Sequence, residues 1–142
     1  MINQDLIKGR LQKLEGYIEI LKGFQNTSSK EFKDDPSKYG SVLYFFQIAI
    51  ECCIDIGNHI ISRKSFRRPE GYKDVFAVLG EEGTIPADFV GNLKDLAEFR
   101  NRLVHLYWDV DLDIVYEKLH TRLEDFDKFA SHIAKMLIAE ER

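Results

Sequence analysis

The sequence predicts an all-α fold, an up-and-down bundle of about five helices of which four are long. Apolar residues recur at spacings of three, four and seven along most of the 142 residues, which is the period of a helix with one buried face. No stretch alternates apolar and polar residues as a half-buried strand does. Glycine, proline and short polar runs separate the helical stretches.

The first half of the chain predicts two long helices joined by a polar connector. An apolar stripe from Leu6 to Phe24 predicts a first helix of about twenty residues. Residues 30–39, centred on Asp34-Asp35-Pro36, are expected to form the connector. Residues 41–62 are apolar around most of a helical circumference, so the second helix is expected either at the centre of the bundle or at a self-association face.

The second half predicts three further helices. A basic connector, residues 63–68, precedes a short third helix from Tyr72 to Leu79. The segment 84–86 ends in proline and is expected to open the fourth helix, because proline fits the first helical turn. The last helix is predicted from about Leu112 to Glu140, with an aspartate of the preceding turn as its cap.

Composition indicates one globular domain, residues 1–142, in a soluble cytoplasmic protein. Hydrophobic residues make up 44% and charged residues 31% of the chain, as in ordinary folded proteins. Cys52 and Cys53 are adjacent within an apolar run and are expected to be reduced, buried thiols. The N-terminus lacks the pattern of a signal peptide, and no segment is expected to span a bilayer. A net charge of −4 argues against indiscriminate coating of nucleic acid.

Residues 100–108, Arg-Asn-Arg-Leu-Val-His-Leu-Tyr-Trp, are the densest group of chemically useful side chains. On a helix, Asn101 and Arg102 lie one turn before His105 and share its side, whereas Arg100 is rotated about 140° away from it. Arg100 and His105 can therefore meet in two ways. Either the helix is distorted near His105, or a second copy of the chain completes a composite pocket.

The polar residues admit three other interpretations. Asp109, Asp111 and Asp113 alternate as in a calcium loop, but Ile114 and His120 occupy the positions of its glycine and its closing glutamate. The four histidines have no paired ligand spacing, so neither a metal nor a cofactor is expected. The end of the fourth helix also fits a plain helix C-terminus, where arginine and histidine favour the negative end of the dipole.

A second set of polar residues lies on one face of the second helix. Glu51, Asp55 and His59 are spaced four apart, which predicts either a polar stripe or a set of buried hydrogen-bond partners. Glu51 or Asp55 is also a candidate to orient an arginine, or the histidine, of the fourth helix.

The sequence Arg100-Asn101, three residues, His105-Leu106-Tyr107 resembles the Arg-(four residues)-His-x-Tyr motif of the HEPN superfamily. It is most similar to the HepT branch, the toxins of HepT/MntA toxin–antitoxin modules. The resemblance extends to the pattern of residues 49–61 and to the order and length of the helices along nearly the whole chain.

The resemblance implies a homodimer in which two motifs meet in a cleft and cut RNA without a metal ion. His105 would act as general acid or base, since imidazoles titrate near neutral pH. Arg100 would bind the scissile phosphate, and Asn101 would hydrogen-bond the phosphate or fix the histidine. Arg102 would add positive charge.

The resemblance also implies a partner. Tyr107 would be the target of a minimal nucleotidyltransferase antitoxin that adds AMP, and the added negative charge would block RNA from the site. Two alternatives remain open: a non-catalytic nucleotide- or RNA-binding module that pairs with a nucleotidyltransferase, and a structural dimerisation domain.

Overall fold

The computed structural model describes residues 1–105 and 109–141, and this part of the chain contains seven α-helices and no strand. A short 3-10 helix, Ala87–Phe89, leads into the fifth helix. The α-helices are α1 (Gln4–Gly23), α2 (Ser29–Asp34), α3 (Pro36–Arg63), α4 (Tyr72–Glu81), α5 (Val90–His105), α6 (Leu112–Thr121) and α7 (Leu123–Glu140). The predicted all-α class is confirmed.

Helix α3 is the centre of the bundle and contacts each of the other six helices. Its buried side chains lie around most of its circumference, as its composition predicts. One of them, Phe46, meets Phe99 of α5 edge to face with ring centroids 5.4 Å apart. The predicted central position of this helix is therefore confirmed.

By length and composition, α3 could cross a membrane, contrary to the expectation from the sequence. It has 28 residues, whereas a bilayer span needs about 20. Half of its most apolar window is buried against the other helices. A core helix of a soluble protein has the same length and composition, so the helix alone is weak support for a membrane segment.

The predicted connector at residues 30–39 is largely helical, so this prediction was wrong. Ser28 caps α2 by accepting a hydrogen bond from the Glu31 N–H at 3.1 Å, and Phe32 anchors this short helix in the core. Helix α3 then begins at Pro36, with Asp35 as its cap. The Ser28-x-x-Glu31 pattern is a helix-start signal that could have predicted α2.

The predicted last helix is two helices, α6 and α7, with a break at Arg122. No glycine or proline marks the break. Instead, Arg122 Nε donates to the Asp125 carboxylate at 2.7 Å, and Arg122 Nη2 donates to the Asn92 carbonyl of α5 at 2.9 Å. Asn92 Nδ2 donates to the same carboxylate at 3.2 Å. These tertiary contacts tie the start of α5 to the α6–α7 corner, and local sequence could not predict them.

The adjacent cysteines are free thiols buried on α3, as expected. Burial raises the pKa of Cys52 to about 11, with a smaller contribution from Asp55. Burial also raises the pKa of Cys53 well above its ordinary value. Thiols held in the protonated form are poor nucleophiles, so these two belong to the core.

We expect Asp125→Ala to lower the free energy of unfolding by about 3 kcal/mol, because it leaves the Arg122 guanidinium without its buried partner. Asp125 is only 2% exposed. Urea denaturation followed by circular dichroism measures the change. Asp127→Ala is the control on the same helix, since the ion pair of Asp127 with Lys22 is exposed and should contribute little. Equal losses in the two variants would contradict this role of Asp125.

Candidate functional site

Helix α5 presents the polar motif on a well-packed element. Five of its side chains are buried, and they recur at the helical spacing predicted from the sequence: Leu93, Leu96, Ala97, Phe99 and Leu103. The helix is regular through His105, its last residue. Arg100, Asn101 and Arg102 therefore lie on a helix that is anchored in the core of the bundle.

Arg100 is directed at α3 and is held by side chains from three helices. Its Nε and Nη2 atoms donate to Glu51 Oε1 at 3.0 and 2.9 Å, and Nη1 donates to Asn101 Oδ1 at 3.3 Å. Its Cζ atom lies 4.8 Å from the centroid of the Tyr72 ring of α4, a cation–π distance. The guanidinium is thus fixed in position before any ligand binds.

Of the polar stripe on α3, only Glu51 reaches α5. Its Oε1 atom accepts a third hydrogen bond from Gln47 Nε2 at 3.1 Å. Asp55 is exposed and forms no hydrogen bond or ion pair within residues 1–105 and 109–141. His59 instead accepts a hydrogen bond from the Asn3 N–H at 3.3 Å, near the start of α1. The structure therefore brings together Arg100 and Glu51 and leaves Asp55 apart.

Arg102 lies on the other side of α5 from Arg100, since residues two apart are rotated by about 200°. It is exposed, and it lines a cavity of about 240 Å³ together with Phe99, Leu103 and Ile114. Lys118 is nearby, and its pKa is lowered mainly by burial and also by Arg122 and Arg102. Arg102 thus lies apart from the Arg100 contacts, in a cavity that Asp109 and Asp111 also line.

His105 is exposed at the end of α5, whereas Arg100 is half-buried against α3. Because α5 is regular between them, the two side chains keep the divergence of about 140° that the spacing predicts. Tyr107, the expected modification site, lies outside the described residues. Within one chain, Arg100 contacts Asn101, and His105 follows Asn101 by one helical turn on the same side of α5 but diverges from Arg100.

Two contacts of the site were not predicted from the sequence. Gln47 lies four residues before Glu51, so helical spacing could have suggested it as a partner. Tyr72 reaches Arg100 from a different helix, 28 positions away in the chain, and no local signal points to it.

The aspartates after the motif have ordinary structural roles. Asp111 caps α6 by accepting from the Asp113 N–H at 2.9 Å, which confirms the predicted capping aspartate. Asp113 pairs with Lys33 at 2.9 Å. Within residues 1–105 and 109–141, no group of three or more His, Cys, Asp or Glu side chains is placed to hold a metal ion.

Comparison with known proteins identifies the family. A family model described as ribonuclease HepT-like matches residues 14–133. This chain belongs to the ribonuclease HepT-like family. The resemblance stated from the motif is thereby confirmed, since it pointed to the same branch of the HEPN superfamily.

Two relatives match this HepT-like chain over most of its length. The mRNA nuclease HepT of Shewanella oneidensis is 32% identical over 88% of this chain and 93% of the relative. The tRNA nuclease HepT of Aphanizomenon flos-aquae is 25% identical over 96% of this chain and 92% of the relative. Each of the two matches therefore covers nearly the full length of this chain and of the relative.

Solved structures match the fold of the chain as well. The tri-AMPylated HEPN toxin of Shewanella oneidensis, in complex with MNT antitoxin, has a TM-score of 0.85 and 30% identity over 92% of this chain and 98% of the toxin. A cytosolic protein of unknown function from Bacillus subtilis, YutE, has a TM-score of 0.78 at 22% identity over 94% of this chain and 92% of that protein. The second likeness supports the fold alone.

We expect Glu51→Ala to lower the free energy of unfolding by about 1–2 kcal/mol, because Arg100 loses the acceptor of two charge-assisted hydrogen bonds. This figure allows for the partial solvent exposure of Glu51. Asp55→Ala is the matched control one turn further along α3 and should change stability by less than about 0.5 kcal/mol. Urea denaturation of both variants tests the difference. A loss for Asp55→Ala as large as that for Glu51→Ala would contradict the importance of the Arg100 contact.

Proposed function

We propose that this chain is the toxin of a toxin–antitoxin module and cuts RNA without a metal ion at a site completed by a second copy of the chain. The observation that carries the proposal is the pre-positioned Arg100 of the Arg-(four residues)-His motif, held by Glu51 on a packed helix. Membership of a ribonuclease family supports an enzyme of this class. The relatives named mRNA and tRNA nuclease support RNA as the substrate.

Arg100 is suited to bind a phosphate without giving up its present contacts. A guanidinium has five N–H donors, and three of them are used by Glu51 and Asn101. The other two form no hydrogen bond within residues 1–105 and 109–141, and they can donate to the oxygens of the scissile phosphate and stabilise the charge that develops there. Asn101 contributes a further hydrogen bond to the phosphate or to the histidine.

His105 acts as general base or general acid. As a base it takes the proton of the ribose 2′-hydroxyl, whose oxygen then attacks the adjacent phosphorus. As an acid it protonates the leaving 5′-oxygen when the P–O bond breaks. Both steps need only an exposed imidazole within hydrogen-bond reach of the substrate, and neither needs a metal ion.

A second copy of the chain supplies what one chain lacks. Arg100 and His105 diverge around a regular helix, so a two-fold axis beside α5 is a direct way to bring the arginine of one copy to the histidine of the other. The surface next to the site carries exposed apolar side chains that a second copy of the chain can bury. Tyr44 on the Glu51 side of α3 is 57% exposed, and Val104 of α5 is 37% exposed.

Tyr107 is the proposed point of control by a cognate nucleotidyltransferase. It stands two residues after His105 in the sequence, where an added AMP would bring negative charge to the entrance used by RNA phosphates. The relative whose structure is described as a tri-AMPylated toxin with MNT antitoxin supports this form of regulation. With RNA as substrate, the proposed place of action is the cytoplasm.

We expect His105→Ala to reduce RNA cleavage by about 10²–10⁴-fold, the usual contribution of general acid–base catalysis. The measurement is growth of cells that express the chain alone, with total RNA examined for fragments, followed by cleavage assays of the purified protein in EDTA. Asp55→Ala, matched for exposure, should cleave as the wild type does. Folding of each variant is checked by circular dichroism.

The same assay separates the nuclease from the binding module. If wild type and His105→Ala are both folded and neither is toxic nor cuts RNA, the chain is a non-catalytic module, for which the net charge of −4 already gives some support. If both variants are equally active, His105 is not the catalytic group.

We expect Tyr107→Phe to abolish AMP transfer from labelled ATP by the partner nucleotidyltransferase while the nuclease groups remain. Cells that express Tyr107→Phe should then stay poisoned when the partner is co-expressed. Tyr116→Phe is the control, since its hydroxyl is already engaged with the Thr27 carbonyl at 2.7 Å. A Tyr107→Phe protein that the partner still neutralises by AMP transfer would contradict this assignment.

A further inference from the structure

Tyr72 is an aromatic side chain placed beside the motif without a role in the reaction described so far. It is the first residue of α4 and is 42% exposed. Its position depends on Gly57 of α3, where a Cβ atom would come within 2.6 Å of Val75 Cγ1. The missing side chain therefore lets α4 pack closely on α3 and brings the Tyr72 ring to Arg100.

The Tyr72 ring borders an open cavity of about 420 Å³ that begins at the motif. Asn101 forms one wall, and Lys94 lies seven residues earlier on the same face of α5. The Arg100 guanidinium contacts the ring at 4.8 Å, and the cavity reaches the exposed part of the ring. A flat ligand in the cavity can therefore stack on Tyr72 beside Asn101, one residue from Arg100, whose guanidinium contacts the same ring.

The charges around this cavity favour a neutral ligand group over a bare anion. Asp74 is held by Arg67 at 2.7 and 2.8 Å, and these hydrogen bonds lower its pKa. Lys73 is paired with Glu98 at 3.2 Å. Positive and negative side chains around the cavity are largely balanced, so it has no excess positive charge to hold a phosphate. The aromatic face of Tyr72, by contrast, suits a nucleobase.

We propose that Tyr72 is the stacking platform for the RNA base next to the phosphate that Arg100 binds. The proposal rests on the proposed ribonuclease function and adds a subsite to it. Stacking on an aromatic ring is tolerant of sequence, because every base has a π face. The Asn101 amide oxygen accepts from Arg100, and its N–H groups, which form no hydrogen bond with residues 1–105 or 109–141, can donate to the edge of the base or to the phosphate.

The test is RNA binding by chains that cannot cut. Fluorescence anisotropy of a labelled single-stranded RNA of mixed sequence is measured with His105→Ala as the parent. Added to this parent, Tyr72→Ala and Tyr72→Leu should weaken binding about 5- to 150-fold, the range expected for one stacked base. Tyr72→Phe keeps the ring and should bind close to the parent. Ile138→Ala removes an exposed apolar side chain from α7 and serves as the control.

A second measurement separates stacking from a structural effect. RNAs with one abasic nucleotide, moved along the chain, should show one position at which the parent loses affinity and the Tyr72→Ala protein does not. If Tyr72→Ala binds RNA like its parent, or if every abasic position has the same effect in both proteins, the stacking subsite is overturned.

The outcomes also distinguish this subsite from the nuclease proposal. Cleavage by the wild type with Tyr72-independent binding overturns the subsite and leaves the nuclease intact. Tyr72-dependent binding without cleavage by the wild type supports the subsite and overturns the nuclease. If Tyr72→Ala impairs binding of the nucleotidyltransferase partner but not of RNA, the ring is a protein contact and the proposal fails.

Discussion

The ion pair between Arg100 of α5 and Glu51 of α3 is the interaction on which the arrangement of this site depends. The Arg100 side chain is 15% exposed, and a charge so far from water requires a partner. Glu51 meets that requirement with one oxygen that accepts three hydrogen bonds. The contact also joins the central helix to the motif helix, so the orientation of the arginine is set by the packing of the bundle.

This arrangement means that the arginine is pre-organised and partly neutralised at once. A neighbouring carboxylate weakens the attraction for a distant phosphate, yet it removes the cost of fixing a long side chain when the substrate arrives. Since two N–H groups of Arg100 form no hydrogen bond in the described part of the chain, the proposed phosphate binding need not break the ion pair. For the proposed RNA substrate, this arrangement favours recognition by short-range geometry over long-range charge, in keeping with a net charge of −4.

The sequence predicts the parts of this structure that arise from helical period and local capping. The central place of α3 follows from its apolar circumference, the course of α5 follows from its buried stripe, and the start of α6 follows from Asp111. Two features were not predictable in this way. The break at Arg122 depends on its hydrogen bond to the Asn92 carbonyl. Tyr72 reaches the site because Gly57 leaves room for α4 to pack closely on α3.

The candidate site also combines features that residue spacing predicts with features that it does not. The divergence of Arg100 and His105 follows from residue spacing on a helix, and so does the shared face of Gln47 and Glu51. Residue spacing does not predict that Arg100 pairs with Glu51 and not with Asp55, because both carboxylates lie on that face of α3. The position of α5 along the axis of α3 decides between them, and it depends on contacts between distant parts of the chain.

The corner formed by Asn92, Arg122 and Asp125 gives the motif helix an uneven local stability. Near its start, α5 is fastened by partly buried hydrogen bonds to Asp125 and Arg122, whereas Val104 and His105 at its end are exposed. The free energy needed to open backbone hydrogen bonds should therefore fall from the start of α5 to its end. Opening of the last turn of α5 therefore needs no loss of the Arg100–Glu51 contact, so the end of the motif helix can change its conformation while the arginine keeps its orientation.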